Sequence, residues 1–211
     1  MNDVQLSGTR IVPVVVLPSA DLAVDLGVAL SAAGVRTVEV TLRTPAALEA
    51  IAALAAETDL LVGAGTVLTP EQADRAVAAG ARYVLSPGLS TAVVRRCQEL
   101  GVPVVPGVAT ATELQAALAA GVSTVKFFPA EQLGGPAAIR ALAGPFPDVR
   151  FVPTGGVTLD NLGAYLAEPA VLAVGASWLA PRDLLERRDF AEISRRAAAA
   201  VALGDRGETG A

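Results

Sequence analysis

The chain contains no histidine, one lysine and one cysteine, and each scarcity excludes a class of site. Without histidine a Ser-His-Asp triad is impossible, and a typical zinc site is disfavoured because imidazole is one of its usual ligands. The single cysteine, Cys97, cannot form an internal disulfide, which fits a reducing compartment. Its context, VVRRCQELG, predicts a buried helical residue instead of a nucleophile.

Long apolar runs and positive charge are also scarce. The run IVPVVVLP at 11–18 is far shorter than the roughly 20 residues of a membrane helix. The start, MNDVQLSGTR, lacks the basic cluster and long apolar core of a signal peptide. A formal net charge of −5 argues against a nucleic-acid or anionic-membrane partner. We therefore expect a cytoplasmic protein whose partners are small molecules.

Apolar residues make up 53% of the 211 residues, which is enough for a large core. They recur as short β-branched runs, each followed by an alanine- and leucine-rich stretch with helical spacing. The period of roughly 19 to 26 residues is that of one strand and one helix. The runs begin near Ile11, Thr37, Leu60, Tyr83, Val102, Thr124, Arg150 and Val171.

Eight such units without a linker predict one α/β domain, a (β/α)8 TIM barrel spanning residues 1–211. A doubly wound open sheet is the alternative.

Glycines at the ends of AAG (32–34), AAG (78–80), ELG (99–101) and AAG (119–121) predict helix C-caps. TPEQ at 69–72 predicts a helix start, with a capping threonine before a proline. We expect the tails at 1–8 and 204–211 to be disordered.

Barrel enzymes carry their chemistry at the carboxyl ends of the strands, so the residues there are the candidates for a site. On the second strand, Glu39, Thr41 and Arg43 occupy alternate positions. Lys126 and Phe128 occupy alternate positions on the sixth strand. Because alternate residues of an extended strand point to the same side, we expect each set to face one way. We expect Glu39, Arg43 and Lys126 to converge in the mouth of the barrel. The other strand ends carry Thr66, Pro87, Gly107, Thr154, Gly155, Gly156 and Ser177.

Lys126 is the only lysine, which indicates a role that arginine cannot fill. A guanidinium stays protonated, whereas a desolvated lysine can lose its proton and attack a carbonyl carbon. The alternative is a structural ion pair between Lys126 and Glu39, although buried ion pairs stabilise a fold only weakly. The glycine-rich ends of strands seven and eight lie where barrels often bind phosphate. No P-loop or dinucleotide fingerprint is present, because GAGT at 63–66 has too few glycines at the wrong spacing.

Seven motifs in order resemble those of the 2-keto-3-deoxy-6-phosphogluconate (KDPG) aldolases, some of which also cleave 4-hydroxy-2-oxoglutarate. The resemblance runs from about Arg10 to past Trp178. The motifs are VEVTLRT (38–44), GAGTVL (63–68), SPG (86–88), KFFPAE (126–131), AGPF (143–146), FVPTGGV (151–157) and GASWL (175–179).

The resemblance implies a class I aldolase that uses neither a metal nor a cofactor and assembles as a homotrimer. It implies that Lys126 forms a Schiff base with the substrate, that Glu39 is the general acid and base, and that Arg43 holds the keto-acid carboxylate. The remaining implied roles are substrate binding by Thr66, Pro87, Phe128 and Thr154, and phosphate binding by Gly155, Gly156 and Ser177.

One residue departs from the family pattern: Ala176 stands where glycine usually precedes the serine. Alanine would be costly there if the position required a positive φ.

Two other functions compete with KDPG cleavage, namely cleavage of the galactonate epimer and phosphosugar binding by a barrel without catalysis. An intact Lys126 and Glu39 argue against the non-catalytic barrel. A metal-dependent epimerase is disfavoured by the missing histidines.

Overall fold

The structure is a computed structural model that describes residues 10–206. These residues contain nine strand segments, of which two belong to one barrel strand. β5 and β6 are separated by Pro106, which has no N–H to donate to a ladder. The Pro106 carbonyl still accepts a hydrogen bond from the Lys126 N–H at 2.9 Å. The segments are β1 (Ile11–Val15), β2 (Thr37–Thr41), β3 (Leu61–Gly65), β4 (Tyr83–Leu85), β5 (Val104–Val105), β6 (Gly107–Val108), β7 (Thr124–Phe127), β8 (Arg150–Pro153) and β9 (Val174–Ala176).

The strands pair in parallel and close on themselves. One sheet has the order β5-β4-β3-β2-β1-β9 and the other β6-β7-β8. The bridges Phe151–Val171 and Thr154–Gly175 join β8 to the β9 segment, and the chain through Pro106 joins β5 to β6. The predicted (β/α)8 barrel is confirmed, and the open-sheet alternative is wrong.

Helices follow the strands and end largely where the sequence indicates. Gly34, Gly80, Gly101 and Gly121 all have positive φ, as expected of helix C-caps. Thr69 Oγ1 accepts a hydrogen bond from the N–H of Gln72 at 3.3 Å, so the predicted helix start is confirmed. The helices are α1 (Ala23–Ala32), α2 (Ala47–Glu57), α3 (Pro70–Ala78), α4 (Thr91–Glu99), α5 (Ala111–Ala119), α6 (Gly135–Ala143), α7 (Leu159–Leu166), α8 (Arg182–Glu186) and α9 (Phe190–Arg206).

Three boundaries differ from the prediction. The fifth barrel strand begins at Val104, not Val102, because the Val102 N–H instead closes the end of α4 by bonding to the Cys97 carbonyl at 3.0 Å. The last strand begins at Val174, since Val171 makes only a single bridge. Residues 204–206 belong to α9, so the second predicted tail starts too early. Residues 1–8 and 207–211 lie outside the described part of the chain.

Inward-facing glycines decide which large side chains the barrel can hold. A Cβ on Gly63 would lie 2.2 Å from the Tyr83 ring, and a Cβ on Gly65 would lie 2.1 Å from Glu39 Oε1. Tyr83 packs inside the barrel, and its hydroxyl lies 2.8 Å from Thr37 Oγ1. The missing Cβ atoms therefore leave space for a tyrosine low in the barrel and for a carboxylate nearer its carboxyl end.

The lone cysteine is buried in α4, as its sequence context predicts. Burial raises the pKa of the Cys97 thiol to about 11, so it is protonated at neutral pH. No helix within residues 10–206 is long and apolar enough to cross a membrane. Over the same residues, no group of three histidine, cysteine, aspartate or glutamate side chains could hold a metal ion.

Candidate active site

Lys126 and Glu39 meet in the interior of the barrel. β2 and β7 are the second and sixth of eight barrel strands, so they stand on opposite walls. Lys126 Nζ lies 2.9 Å from Glu39 Oε1 and 3.3 Å from Oε2. Both residues are buried, with 5% and 1% of their surface exposed. The expected convergence of these two side chains is confirmed.

The backbone around the pair provides its space. Glu39 leans over Gly65, where any side chain would collide with its carboxylate. Lys126 stands between Gly107 on β6 and Val152 on β8 in the strand register. An amine and a carboxylate in this contact can exchange a proton directly, which is the requirement for general acid–base chemistry at the lysine.

Phe128 lies beside the amine. The centroid of its ring is 5.8 Å from Lys126 Nζ, and the side chain is 36% exposed. A Cβ on Gly155 would lie 3.3 Å from the same ring. Phe128 therefore lies close to both the amine and the glycine turn, as a residue lining a pocket shared by the two would. The peptide bond that follows it, to Pro129, is cis.

Thr66 and Pro87 follow β3 and β4 directly. Thr66 is half-buried and has φ +58, a left-handed conformation that is uncommon for a β-branched residue. Such strained residues concentrate at functional sites. Pro87 is half-buried, and a Cβ on Gly107 would lie 2.1 Å from its carbonyl oxygen. Glycine at 107 thus lets the Pro87 turn pack against the first residue of β6.

Arg43 lies in the turn after β2 and is exposed. Its N–H donates to the Thr41 carbonyl at 2.8 Å, which folds the chain back at the strand end. Within residues 10–206 no carboxylate pairs with its guanidinium, which leaves the side chain free to bind an anionic group. No contact joins Arg43 directly to the Lys126–Glu39 pair.

The residues expected to bind phosphate lie on two neighbouring strand ends. Thr154 and Gly175 form a β-bridge between the two strands. Gly156 and Ser177 each lie two residues beyond this bridge, on neighbouring strand ends. Gly155 and Gly156 form a turn with φ +97 and +78, and Ser177 is exposed in the turn after β9. Thr154 is buried, and its side chain fills the space that Gly175 leaves.

Two further details of this region bear on the expected phosphate site. Ala176 belongs to β9 and is not among the described residues with positive φ, so alanine imposes no backbone strain there. The segment WLAPRD (178–183) is not helical before Arg182, where the five-residue helix α8 begins. The helix that starts close to the glycine turn is α7, at Leu159.

Sequence reasoning missed three residues behind the glycine turn. Glu131, Asn161 and Tyr165 form a hydrogen-bonded cluster that contacts Gly155 and Gly156. Glu131 stands in the KFFPAE motif, which was a signal for its importance. Its partners lie 30 and 34 residues further along the chain, and nothing local indicated them.

Comparison with known proteins agrees with this geometry. Residues 3–196 match the KDPG and KHG aldolase family, where KHG denotes 4-hydroxy-2-oxoglutarate. The chain belongs to this family. The 2-dehydro-3-deoxy-phosphogluconate aldolase of Treponema pallidum is 53% identical over 190 residues, covering 90% of each chain. The KHG/KDPG aldolase of Escherichia coli is 46% identical over 192 residues, again covering 90% of each.

A solved relative bears on the chemistry of the family. The KDPG aldolase of Legionella pneumophila was captured at low pH with pyruvate as a covalent carbinolamine intermediate. It is 38% identical to this chain, with a TM-score of 0.89, and the match covers 93% of this chain and 96% of the other. The family expected from the motifs is confirmed. The role of each individual site residue stays a prediction.

Proposed function

We propose that the protein is a class I aldolase that cleaves KDPG to pyruvate and glyceraldehyde 3-phosphate through a Schiff base on Lys126. The observation that carries this proposal is the buried amine of the only lysine, 2.9 Å from the buried carboxylate of Glu39. A purely structural ion pair would need neither the strained Thr66 nor the glycine turn beside it. Membership in an aldolase family supports the catalytic interpretation.

The reaction begins at the amine. Neutral Lys126 attacks the 2-keto carbon, the nitrogen gives up a proton, and the carbonyl oxygen takes one up, which gives a carbinolamine. Glu39 supplies and removes protons, through water, as the hydroxyl leaves and the protonated imine forms. The contact between the carboxylate and the amine supports this role for Glu39.

Cleavage follows because the protonated imine accepts electrons. Removal of the proton from the 4-hydroxyl forms the new aldehyde carbonyl, the C3–C4 bond breaks, and its electron pair forms an enamine on C3. Glyceraldehyde 3-phosphate leaves. A proton is then added to C3, and water hydrolyses the imine, releasing pyruvate and regenerating Lys126.

The substrate is held at both ends in this proposal. Arg43 binds the carboxylate, while Gly155, Gly156 and Ser177 bind the phosphate. The substrate chain between them is lined by Thr66, Pro87, Phe128 and Thr154. The closeness of the Phe128 ring to both Lys126 and Gly155 supports this orientation.

The proposal includes 4-hydroxy-2-oxoglutarate as a second substrate, because it offers the same keto acid and 4-hydroxyl without a phosphate. It needs no metal ion, since the imine itself is the electron acceptor. The lone buried cysteine supports a reducing location such as the cytoplasm.

We also propose a homotrimer. Several apolar side chains are exposed on the isolated chain, including Val28 at 60%, Leu68 at 55% and Leu118 at 39%. Because apolar residues exposed singly are ordinary on a monomer, the proposal of a trimer rests on the resemblance to the KDPG aldolases. Light scattering on the purified protein should give three times the mass of the chain, and a monomer at working concentration would contradict the assembly.

The activity is tested by measuring pyruvate release from three substrates: KDPG, its galactonate epimer and 4-hydroxy-2-oxoglutarate. We expect the highest specificity constant for KDPG and a lower, measurable one for 4-hydroxy-2-oxoglutarate. Incubation with a chelator should leave all rates unchanged. A preference for the galactonate epimer would reassign the substrate, and no release from any of the three would contradict an aldolase.

A further inference from the structure

The turn formed by Gly155 and Gly156 is tied to the protein through both of its carbonyl oxygens. The Gly155 oxygen accepts a hydrogen bond from the Glu131 N–H at 3.0 Å, and the Gly156 oxygen accepts one from Asn161 Nδ2 at 3.2 Å. The C=O and N–H of a trans peptide point in opposite directions. Holding both oxygens therefore turns the N–H groups of Gly156 and Val157 away from these contacts.

Across residues 10–206, no protein acceptor binds the N–H of Gly156 or of Val157. Adjacent backbone donors in a turn of this kind form a concave site for an anion. The two positive φ angles, +97 and +78, are what this turn requires, and glycine adopts them readily.

A buried tyrosine and an asparagine fix the Glu131 carboxylate behind the turn. Glu131 Oε2 accepts hydrogen bonds from the Tyr165 hydroxyl at 2.6 Å and from Asn161 Nδ2 at 3.3 Å. Burial and then the neighbouring carboxylate raise the pKa of Tyr165, so its hydroxyl stays protonated and donates. Asn161 Oδ1 accepts from the Thr158 N–H at 2.8 Å, which orients the amide so that Nδ2 faces the turn.

Packing adds to these hydrogen bonds. A Cβ on Gly156 would lie 2.4 Å from the Cβ of Glu131, so the Glu131 side chain covers the bare face of that glycine. The turn is thus fixed by one contact of the Glu131 backbone, one of its side-chain stem, and one of Asn161. We call Glu131, Asn161 and Tyr165 the brace.

We propose that the brace positions the glycine turn so that the N–H groups of Gly156 and Val157 receive the terminal phosphate of the substrate. This inference rests on the proposed function, because the phosphate belongs to the proposed substrate. The brace residues act through the turn and do not touch the ligand. The negative charge of Glu131 would itself disfavour an anion, so its contribution is to hold Asn161 and to pack against Gly156.

The test compares Asn161→Ala and Glu131→Ala with wild type on KDPG and on 4-hydroxy-2-oxoglutarate. Asn161→Ala removes the hydrogen bond to the Gly156 carbonyl, and Glu131→Ala removes the carboxylate that holds Asn161 in place. KM for KDPG should therefore rise by about three- to tenfold in each variant, with kcat little changed. Both constants for the unphosphorylated substrate should stay the same. Inorganic phosphate, tested as a competitive inhibitor, should weaken by the same factor as KM for KDPG.

Two further variants separate positioning from general loss of stability. Glu131→Gln keeps an acceptor and the packing stem, so it should restore most of the affinity for KDPG. Glu168→Gln removes the negative charge that pairs with Arg140, close to the end of α7, without touching the turn. It should lower Tm and leave the ratio of the two specificity constants at the wild-type value.

Trapping of pyruvate with borohydride separates failure of this inference from failure of the proposed function, because pyruvate carries no phosphate. All brace variants should trap pyruvate as wild type does. An unchanged substrate ratio in Asn161→Ala and Glu131→Ala, with trapping intact, would overturn the brace. A loss in Glu131→Gln as large as in Glu131→Ala would overturn it too. Absence of trapping in wild type would instead overturn the aldolase.

Discussion

Lys126 on β7 and Glu39 on β2 face each other across the barrel, and the amine lies 2.9 Å from one carboxylate oxygen. The residues are 87 positions apart in sequence, so only closure of the barrel brings them together. Removing one partner of such a buried pair usually destabilises a protein strongly, whereas the intact pair adds little to stability. Its retention in this chain is better explained by chemistry than by folding.

The first prediction concerns the carboxylate. Glu39→Gln keeps the size of the side chain but removes its ability to accept and return a proton. Turnover should fall by about 10²–10⁴-fold, the usual contribution of general acid–base catalysis. Binding of pyruvate should persist, because Arg43 holds the carboxylate of the ligand in this proposal. Turnover like that of wild type would show that the acid and base lie elsewhere.

The second prediction displaces Glu39 without changing it. In Gly65→Ala, the new Cβ would lie 2.1 Å from Glu39 Oε1 and 2.6 Å from its Cγ, so the carboxylate must move. We expect a loss of turnover on the order of 10²-fold or more, comparable to removing the acid–base group. Steady-state kinetics on KDPG measures it.

Gly163→Ala on the exposed face of α7 is the matched control, because a Cβ there meets nothing within 4 Å. It should leave turnover unchanged and raise the free energy of unfolding by up to about 1 kcal/mol, as alanine in a helix does relative to glycine. Retention of full activity in Gly65→Ala would mean that the position of Glu39 is not critical.

The third prediction concerns the backbone of Thr66, which has φ +58. A left-handed conformation costs a residue with a Cβ about 1–2 kcal/mol. Thr66→Gly should therefore be more stable than Thr66→Ala by about 1 kcal/mol, the reverse of the usual order. Denaturant unfolding of both variants provides the comparison.

Thr58 supplies the control pair, because its φ is −137 and no such penalty applies. There the alanine variant should be the more stable of the two. If alanine is the more stable residue at Thr66 as well, Thr66 is not strained.

Much of the fold was predictable, because it depends on local signals. Strand starts at Ile11, Thr37, Tyr83, Thr124 and Arg150 coincide with the β-branched runs, and the four glycine caps have the expected φ. The meeting of Lys126 with Glu39 followed from strand parity and barrel closure.

Contacts between segments distant in sequence could not be predicted from local signals. The strained φ of Thr66 has no local sequence signal, since threonine normally avoids that region. The brace joins residues from the end of β7 and from α7, and its hydrogen bonds depend on how the two segments pack. The absence of strain at Ala176 likewise depends on where β9 ends.

The fourth prediction concerns the phosphate. Ser177→Ala removes one hydroxyl from the proposed phosphate site, and a hydrogen bond to a charged group contributes about 1.5–3 kcal/mol. The loss should fall on KDPG and spare 4-hydroxy-2-oxoglutarate, which carries no phosphate. The specificity constant for each substrate measures this. Equal losses on both would place the phosphate elsewhere and give Ser177 a role in the fold.

Ala176→Gly is the companion variant. Because Ala176 is buried in β9 with ordinary backbone angles, restoring the family glycine should not improve phosphate binding. It should instead lower the free energy of unfolding by about 1 kcal/mol, through the lost methyl group and the added backbone freedom. Tighter binding of KDPG would contradict this account of the strand end.

The most direct test of the central claim is reduction with borohydride in the presence of pyruvate, followed by peptide mapping. One three-carbon unit should be found on Lys126 in wild type. No other lysine exists, so the N-terminal amine is the only competing site, and mapping separates the two. Lys126→Arg should fold, with no trapping and no turnover. Trapping that survives in Lys126→Arg would contradict the Schiff base on which the whole account depends.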